Sequence, residues 1–467
     1  MRKYFLLVVA LFIGSEVLAQ SQMMLYQLNS RIPQAHQINP AFAPDYKVSV
    51  GLPVLSNTYV TFNSGKATFN NAFTRTSDDS LRFDPQKLAS KLDKTNRLEV
   101  NANVLLFYLG FRVNKNYFSL SFNERVDGGI SYPKTFIELL GSGNGESAGK
   151  LLAFDKLGVR AQAYHEIALG YNRNITSKLT VGARAKLLSG VVSGSVDNLS
   201  AGLLTSTDSI YLTTSAFNVN LAGYDLLDSD QDIDIFKEAA AFKNVGFAFD
   251  LGAQYWLTDK LQLSVSLTDM GSINWQDNTR QLKFNEVKYS FKGINFLDVI
   301  DDNAQASLDA EADSLKTLFE PDTVDGVGFK TKLSPKFYAG ATYQVGKIHT
   351  FGILLYGDVF KGTFNPGMGF SYNLTLGHIW TIGVNASYRN KSFNNFGVGT
   401  AITLGPIQVY AMSENLMALA NVQNASLVDA RVGVNLVFGK IRESATKRRD
   451  RKKKDKGNDI QTIDMGL

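Results

Sequence analysis

The sequence predicts an all-β protein, a transmembrane antiparallel β-barrel of about 14 strands with short helices in its loops. Two observations predict this fold. Many segments of about ten residues alternate between apolar and small or polar side chains, as transmembrane strands do. The chain also begins like an exported protein, yet no later stretch has 18 or more consecutive apolar residues, so we expect no transmembrane helix.

The alternation is clearest in the C-terminal third of the chain. One strand carries apolar side chains at every second position, namely Trp380, Ile382, Val384, Ala386 and Tyr388. Small or polar side chains lie between them, namely Thr381, Gly383, Asn385 and Ser387. The first set is expected to face lipid and the second to face the lumen. A soluble β-sandwich also alternates, but aromatic residues near the strand ends and a polar face rich in Gly, Ser and Asn favour the membrane barrel.

Short turns and longer connections follow each other in a regular order, which gives a strand count. The strands are expected near 55–63, 101–113, 116–126, 157–173, 178–190, 245–257, 260–270, 334–345, 347–358, 364–374, 377–389, 394–404, 406–413 and 428–438. This even number places both termini on the periplasmic side, as in single-chain bacterial barrels. The stretches 199–219 and 279–291 also resemble strands and are expected to extend the wall beyond the bilayer.

Three stretches of the long connections are expected to be helical. Residues 84–94 begin with Asp84-Pro85, a capping residue followed by a good first-turn residue. Residues 133–140 begin with Pro133, and residues 295–319 carry apolar side chains at helical spacing.

The two ends of the chain differ from the barrel. Residues 1–19 are predicted to be a signal peptide, with a basic start, an apolar stretch and a small-residue cleavage site at Val17-Leu18-Ala19. The apolar stretch is too short for a membrane anchor, which needs ~20 residues. Residues 20–53 are expected to form a leading or plug segment, 54–439 the outer-membrane barrel and 440–467 a disordered periplasmic tail.

The tail carries the net positive charge of the protein. The formal net charge is +5, whereas residues 447–456 alone hold a balance of +6. Its basic residues are Lys447, Arg448, Arg449, Arg451, Lys452, Lys453, Lys454 and Lys456. Such blocks are often interaction tails, and the expected partners are a periplasmic or surface protein, the cell wall or anionic lipid headgroups. The signal peptide argues against nucleic acid, and a merely solvated tail is an equal alternative.

Little in the sequence indicates catalysis. The absence of Cys excludes thiol nucleophiles, cysteine-based zinc sites and iron–sulfur clusters. The four histidines, His36, His165, His349 and His378, lack the spacing of a metal pair, and no catalytic triad is evident. The alternating acids of residues 228–234 lack the Gly and Glu of a calcium loop. We therefore predict no enzyme activity, no metal and no cofactor.

Six charged residues are expected to point into the lumen. They are Arg112, Glu166, Arg184, Lys186, Asp250 and Arg431. Opposed charges inside a barrel pair with each other and hold the wall or a plug, and this structural role is preferred. The alternative is a polar path or a ligand site.

Several motifs resemble those of a known family. They are Gln37-Ile38-Asn39-Pro40-Ala41-Phe42, Gly110-Phe111-Arg112 with Phe118-Ser119-Leu120-Ser121-Phe122, Gly246–Ala253 with Tyr255, Leu267-Thr268-Asp269-Met270-Gly271 and Ile273-Asn274-Trp275. Together they resemble a Bacteroidota outer-membrane family of unknown function. That family is distantly similar to the FadL-type barrels and to the PorV and PorP/SprF proteins of type IX secretion and gliding. The resemblance implies a FadL-like barrel of fourteen strands and maps no active site, and the basic tail is an addition to the pattern.

Two functions follow as hypotheses. The first is a scaffold or a component linked to secretion or gliding, supported by the tail, the long outer loops and the family resemblance. The second is a FadL-like transport barrel for hydrophobic or small solutes, supported by the lumen-facing charges and the leading segment. Both place the protein in the outer membrane, surrounded by its lipid.

Overall fold

The strands and helices belong to one large barrel with elaborated loops at one end. A computed structural model describes residues 22–197, 199–223, 243–291, 316–360, 363–389 and 392–441. In chain order the strands are β1 (Tyr46–Gly51), β2 (Thr58–Asn63), β3 (Phe73–Arg75), β4 (Leu81–Phe83), β5 (Thr95–Val113), β6 (Asn116–Pro133), β7 (Leu151–Ala153), β8 (Gly158–Asn174), β9 (Leu179–Asp197), β10 (Ala201–Thr205), β11 (Ile210–Thr214), β12 (Phe217–Ala222), β13 (Asn244–Trp256), β14 (Leu261–Trp275), β15 (Thr279–Phe284), β16 (Val287–Phe291), β17 (Asp322–Asp325), β18 (Phe329–Lys332), β19 (Lys336–Val345), β20 (His349–Phe360), β21 (Thr363–Leu376), β22 (Trp380–Arg389), β23 (Ser392–Leu404), β24 (Ile407–Ser413) and β25 (Leu427–Lys440). The α-helices are α1 (Met23–Gln27), α2 (Phe69–Ala72), α3 (Pro85–Lys91), α4 (Lys134–Ser142) and α5 (Met417–Ala420), with short 3-10 helices at Pro33–Gln37, Gly145–Ser147 and Val422–Asn424. None of these described helices is long and apolar enough to cross a membrane.

Fourteen antiparallel strands close into a ring, which confirms the predicted fold and strand number. The order around the ring is β1 with β2, then β5, β6, β8, β9, β13, β14, β19, β20, β21, β22, β23, β24 and β25. The ring closes because β1 and β2 each pair with β5 on one side and with β25 on the other. A closed ring leaves no unpaired strand edge, which is the condition for a sheet in lipid.

The first strand is interrupted, and this corrects the predicted boundary at residue 53. Residues 46–51 were expected to lead into the barrel, but they form the first half of the first strand, so the leading segment ends at Asp45. Residues 52–57 bulge out between β1 and β2, with Val54 in a left-handed conformation (φ 63°). Within the bulge, Val54 N still donates to Leu105 O (2.8 Å), and Leu55 O still accepts from Val434 N (2.8 Å). Contact with both neighbours is therefore kept across the interruption.

The two ends of the barrel have different connections. Six short turns join strands at one end, called the short-turn end below, at residues 114–115, 175–178, 257–260, 346–348, 377–379 and 405–406. The chain enters and leaves the barrel at this end, where Ile441 N donates to Asp45 O (3.0 Å). The opposite end, the long-loop end, carries the remaining connections.

The described parts of the connections at the long-loop end contain helices and strands. The helix expected at 84–94 is α3, whose first turn is capped by Lys87 N donating to Asp84 Oδ1 (2.9 Å), and the helix expected at 133–140 is α4. Both predictions are confirmed, as are strands within 199–219 and 279–291. There β12 continues the wall beside β9 and β15, while β7, β10, β11 and β16 form a separate four-stranded sheet. Most of the helix expected at 295–319, the acidic stretch 228–234, the signal peptide and the basic residues 447–456 lie outside the described residues.

The wall has an apolar outer face and a polar inner face. Large apolar side chains stay exposed on the outside, such as Phe247 (67%), Leu169 (63%) and Phe396 (51%). The inner face buries hydroxyl, amide and charged groups, such as Ser266, Asn172 and Arg184. Val384 is 46% exposed and its neighbour Asn385 5%, so the facing inferred from the alternation matches the structure.

Candidate functional site: a plugged and charged lumen

The lumen is filled by the segment before the first strand. This segment, residues 22–45, is called the plug below. Its apolar side chains are buried against the wall and against each other, and Met23, Met24, Leu25 and Tyr26 are fully buried. Tyr26 stacks on Tyr338 of β19 with ring centroids 5.9 Å apart, and its hydroxyl lies 2.6 Å from Ser264 Oγ of β14. The plug and the inner wall therefore share one apolar cluster, to which Leu354 of β20 and Met412 of β24 also contribute.

The plug is bound to strands on all sides of the ring. On one side, Met24 N donates to Glu414 Oε1 (2.8 Å), and Gln34 exchanges two hydrogen bonds with Asn435 of β25 (2.7 and 3.0 Å). Nearby, Gln37 bonds Asn123 and Asn103 (both 3.1 Å). On the opposite side of the ring, Asn39 Nδ2 donates to Val265 O of β14 (3.2 Å), and Asn373 of β21 donates to Gln27 O (3.3 Å). Such contacts around the whole circumference fix the plug as part of the folded barrel.

The Asn39-Pro40-Ala41-Phe42 motif fits a notch in the inner wall. Across β8, β9, β13 and β14 the register places side by side the residues Asn172, Gly182, Gly252 and Ser266. The Asn172 amide donates to Pro40 O (3.1 Å) and Phe42 O (3.2 Å), and Ser266 Oγ donates to Ile38 O (2.8 Å). A Cβ at Gly182 would lie 2.2 Å from Pro40 O, and one at Gly252 would lie 2.0 Å from Asn39 Oδ1. Only glycine therefore allows this close approach of plug and wall.

The plug histidine is a structural residue. His36 is buried, its Nδ1 lies 3.1 Å from Phe42 O, and its ring contacts Tyr117 edge-on at 5.8 Å. Burial, and then the positive charge of Arg184, lower the pKa of His36 to about 3. The ring is therefore neutral at neutral pH, and Nδ1 donates to the carbonyl.

Four of the six charges expected in the lumen meet in one buried cluster. Arg184 donates to Asp250 (2.9 Å) and Glu166 (3.3 Å), and Lys186 contacts Asp250 at 2.8 Å. Three further residues complete the cluster, namely Arg125, Asp269 and Lys336. Asp269 accepts from Lys186 (2.5 Å), Lys336 (2.7 Å) and Arg125 (3.4 Å). These seven residues, four cations and three anions, are called the charge belt below.

A β-bulge brings Asp269 into the charge belt. The register between β13 and β14 shifts at this point, so that Thr268 and Asp269 together oppose Asp250. Asp269 is left-handed (φ 60°) and its N–H donates to Asp250 Oδ1 (2.7 Å). Simple alternation from Leu267 would send Asp269 outward, and the extra residue of the bulge turns it inward. The sequence shows no direct sign of the bulge, so Asp269 was missed.

The other two expected lumen charges bind the plug and lie apart from the charge belt. Arg431 donates to Gln22 Oε1 and Asn57 Oδ1 (both 2.6 Å), with its guanidinium 4.1 Å from the Tyr59 ring centroid. Arg112 is half-buried and donates to Pro44 O (3.3 Å). These two residues therefore hold the start and the end of the plug.

A second set of charges lies inside the wall toward the long-loop end. Arg97 contacts Glu99 and Asp358, and Arg160 contacts Asp127 (3.3 Å). The ring of Phe360 lies 3.8 Å from the Arg97 guanidinium and 4.5 Å from that of Arg160. Cation–π contact and ion pairing thus cross-brace β5, β8 and β20. Among the described residues, no group of three or more His, Asp and Glu is placed to hold a metal.

A polar cavity of about 330 Å³ lies at the short-turn end and is called the vestibule below. The plug forms its inner boundary through residues 27–31 and 41–45. The strands contribute neutral amides and hydroxyls, among them Asn174, Thr180, Gln254, Gln344 and Asn373. On the other side of the plug a gap of about 20 Å³ separates Gln22 from the charge belt, which is room for about one water molecule.

Comparison with solved structures finds toluene transporters and a FadL homologue. A Pseudomonas aeruginosa FadL homologue has 8% identity and a TM-score of 0.42, over 91% of this chain and 100% of the other. The Pseudomonas putida toluene transporter TodX has 9% identity and a TM-score of 0.37, over 91% and 94% of the two chains. The Ralstonia pickettii toluene transporter TbuX has 10% identity and a TM-score of 0.37, over 87% and 94%. At this level of similarity no function is transferred to this chain.

The sequence itself connects the chain to a family. No curated protein matches it. One family model, described as a family of unknown function, matches residues 40–414. The match begins in the Asn-Pro motif of the plug and runs through β24, so it includes the docking notch and the charge belt. The chain therefore belongs to the family of unknown function DUF5723.

Proposed function

We propose that this protein is a non-catalytic scaffold of the outer membrane, linked to secretion or gliding, whose closed barrel displays a binding platform outside and a basic tail in the periplasm. The observation that carries the proposal is the plug. Its backbone and side chains are bound to strands on all sides of the lumen, from β25 through β8 and β14 to β21, and each charge of the belt beside it contacts an opposite charge. A transport path would require these contacts to break, whereas a scaffold uses them for rigidity.

The folded connections at the long-loop end support a binding role. Leu88, Leu92 and Tyr132 form a small apolar core under α3 and α4, which fixes these helices on the rim. Above that core, large apolar side chains remain exposed, including Leu140 (57%), Leu151 (60%) and Leu81 (54%). Rigid loops with clustered exposed apolar groups are typical of protein-binding surfaces. We call this region, α3, α4 and β7 with the β3–β4 hairpin, the outer platform.

The basic tail supplies a second contact in the proposal. With the short-turn end in the periplasm, the chain leaves the barrel at Ile441 on the periplasmic side. Residues 447–456 would then reach an acidic protein, the cell wall or lipid headgroups there. The motifs resemble a Bacteroidota family of unknown function, and the distant similarity of that family to PorV and PorP/SprF proteins suggests secretion and gliding as the setting of this scaffold.

A FadL-like transport barrel is the second candidate. The vestibule favours it, because about 330 Å³ of space lined by amides and hydroxyls would admit a small solute from the short-turn end. In this case the plug would have to move or rearrange during each passage.

Conductance in planar bilayers separates the two functions. We expect the full-length protein to show no steady conductance, and a variant lacking residues 22–45 to form an open pore. Steady conductance or solute uptake by the full-length protein would contradict the scaffold. The deletion variant serves as the control that the barrel can be inserted and measured.

Purification from the native membrane tests the scaffold directly. We expect a stoichiometric partner that is lost when residues 442–467 are removed or when Leu140 and Leu151 are changed to Glu. Cutting after Ile441 spares Lys440, which pairs with Tyr46 in the wall. A monomer in every preparation would contradict the proposal.

A further inference from the structure

A Glu–His pair lies on the outer face of the barrel. On β6, Asn123 and Arg125 point into the lumen, where they contact Glu166 and Asp269. Glu124 between them therefore points outward. By the same alternation on β8, His165 points outward between Tyr164 and Glu166, which are buried on the inside.

The pair is closely bonded and incompletely satisfied. Glu124 and His165 are direct cross-strand neighbours, and His165 Nδ1 lies 2.7 and 2.6 Å from the two carboxylate oxygens. Because Nδ1 faces two acceptor oxygens, it carries a proton and donates to the carboxylate. Within the described part of the chain, the buried Nε2 has no hydrogen-bond partner. The His165 side chain is 3% exposed, while that of Glu124 is 25% exposed.

Apart from Ser189, the cross-strand neighbour of His165 on β9, the residues that flank the pair are apolar. Phe122 and Val126 flank Glu124 on the outer face of β6, and Ala163 and Ile167 flank His165 on β8. Val126 is 43% exposed, and the Phe122 ring lies 6.1 Å from that of His165. A carboxylate in the lipid-facing band is destabilising, and ionisable groups at such positions are usually functional.

We propose that this outer face of β6 and β8 docks a second membrane-spanning protein that presents a Lys or Arg side chain to Glu124. The proposal names a partner class for the scaffold and rests on that function. Acyl chains carry no donor, and lipid headgroups lie at the membrane surface, away from an apolar band. A basic side chain would donate a charge-assisted hydrogen bond to the Glu124 carboxylate. A two-fold contact centred on Glu124 would instead bring two carboxylates together, and we therefore commit to a different protein as the partner.

Site-specific photocrosslinking in native membranes tests the docking face. A photoreactive residue at Val126 reports on the face beside Glu124, and one at Val384, which is similarly exposed at 46%, reports on another part of the wall. We expect one discrete adduct from Val126 and none from Val384. In Glu124→Gln the adduct should fall about tenfold or more, because losing one charge of a desolvated pair strongly weakens binding.

A measurement on the purified barrel distinguishes loss of docking from loss of folding. Glu124→Gln should keep the heat-modifiable mobility of the folded protein. The double change Glu124→Leu, His165→Leu should raise the midpoint temperature of thermal unfolding in detergent, because the purified barrel has no partner to compensate the two polar groups. In native membranes the same double change should abolish the adduct. An adduct unchanged in Glu124→Gln, an adduct formed only with a second copy, or equal yields at Val126 and Val384 would each overturn the proposal. Failure of the scaffold function itself would appear separately, as steady conductance of the full-length protein.

Discussion

At the scale of single residues, the strand alternation predicts correctly which charged side chains face the lumen. It does not predict which of them form ion pairs with each other. Arg184, Lys186 and Asp250 could be assigned to the inner face because each lies between outward apolar neighbours, and Glu166 follows the same alternation beside Ile167. Most of their partners lie on neighbouring strands of the wall, but Arg184 and Asp250 become direct cross-strand partners only through the register of β9 and β13, which the alternation does not fix. Arg125 follows the same alternation and could have been found, whereas Asp269 depends on a bulge.

Removal of one carboxylate from the charge belt should destabilise the barrel strongly. Asp250 contacts Arg184, Lys186 and the Asp269 N–H at 2.9, 2.8 and 2.7 Å. Asp250→Asn would leave buried cations without compensation, and breaking such a pair costs about 3–5 kcal/mol. Urea unfolding in detergent or vesicles measures this loss. Asp79→Asn, in the exposed pair with Arg75, should leave the transition unchanged, and equal effects at both sites would contradict the role of the belt.

The facing of the wall is tested by a charge on each side. Val384→Arg should destabilise the folded barrel by about 2–4 kcal/mol, as lipid-facing Arg does near the bilayer midplane. The sequence alone suggests Asn385 as a tolerant control, but the structure corrects this choice. Asn385 donates to Glu414 (3.0 Å) and accepts from Gly397 N (3.1 Å), so Arg would break buried bonds there. Gln254→Arg, which opens into the vestibule, should be tolerated in the same assembly assay, and poor assembly of both variants would contradict the assignment.

At the scale of elements, the strands were predictable and the plug contacts were not. Alternation with period two marks each strand, and Pro and capping residues mark α3 and α4. The plug has no such repeat. Its Asn39-Pro40 motif is fixed by Gly182 and Gly252, which adjoin each other only after β9 and β13 have paired. A glycine on a polar face is too common in barrel sequences to indicate a docking notch.

A methyl group in the notch should loosen the plug and leave the wall intact. In Gly182→Ala the new Cβ would meet Pro40 O at 2.2 Å, and because this is backbone the plug itself must shift. Overpacking of this kind costs about 1–3 kcal/mol. Hydrogen exchange at residues 38–42 should rise. Gly194→Ala on the same strand meets nothing closer than 3.6 Å and should behave as the parent, and unchanged exchange in both variants would contradict the fit of the motif.

At the scale of the whole molecule, closure depends on a strand that the sequence only half reveals. The sequence indicates residues 55–63, and the count of fourteen strands leaves residues 46–53 over as part of the leading segment. A ring with 14 strands needs its first strand to reach the short-turn end, and only β1 connects β5 to β25 there.

Two truncations separate filling of the lumen from closure of the wall. Removal of residues 22–45 should leave a barrel that folds and keeps its heat-modifiable mobility, because no strand is lost. Removal of residues 22–51 also deletes β1. The edge of β5 is then unpaired from Tyr108 to Phe111, and the edge of β25 is unpaired from Asn435 to Lys440. Unpaired backbone groups in lipid cost several kcal/mol each, so the longer truncation should fail to assemble in vesicles. Assembly of both truncations to the same yield would contradict the role of β1 in closure, and failure of both would make the plug itself necessary for folding.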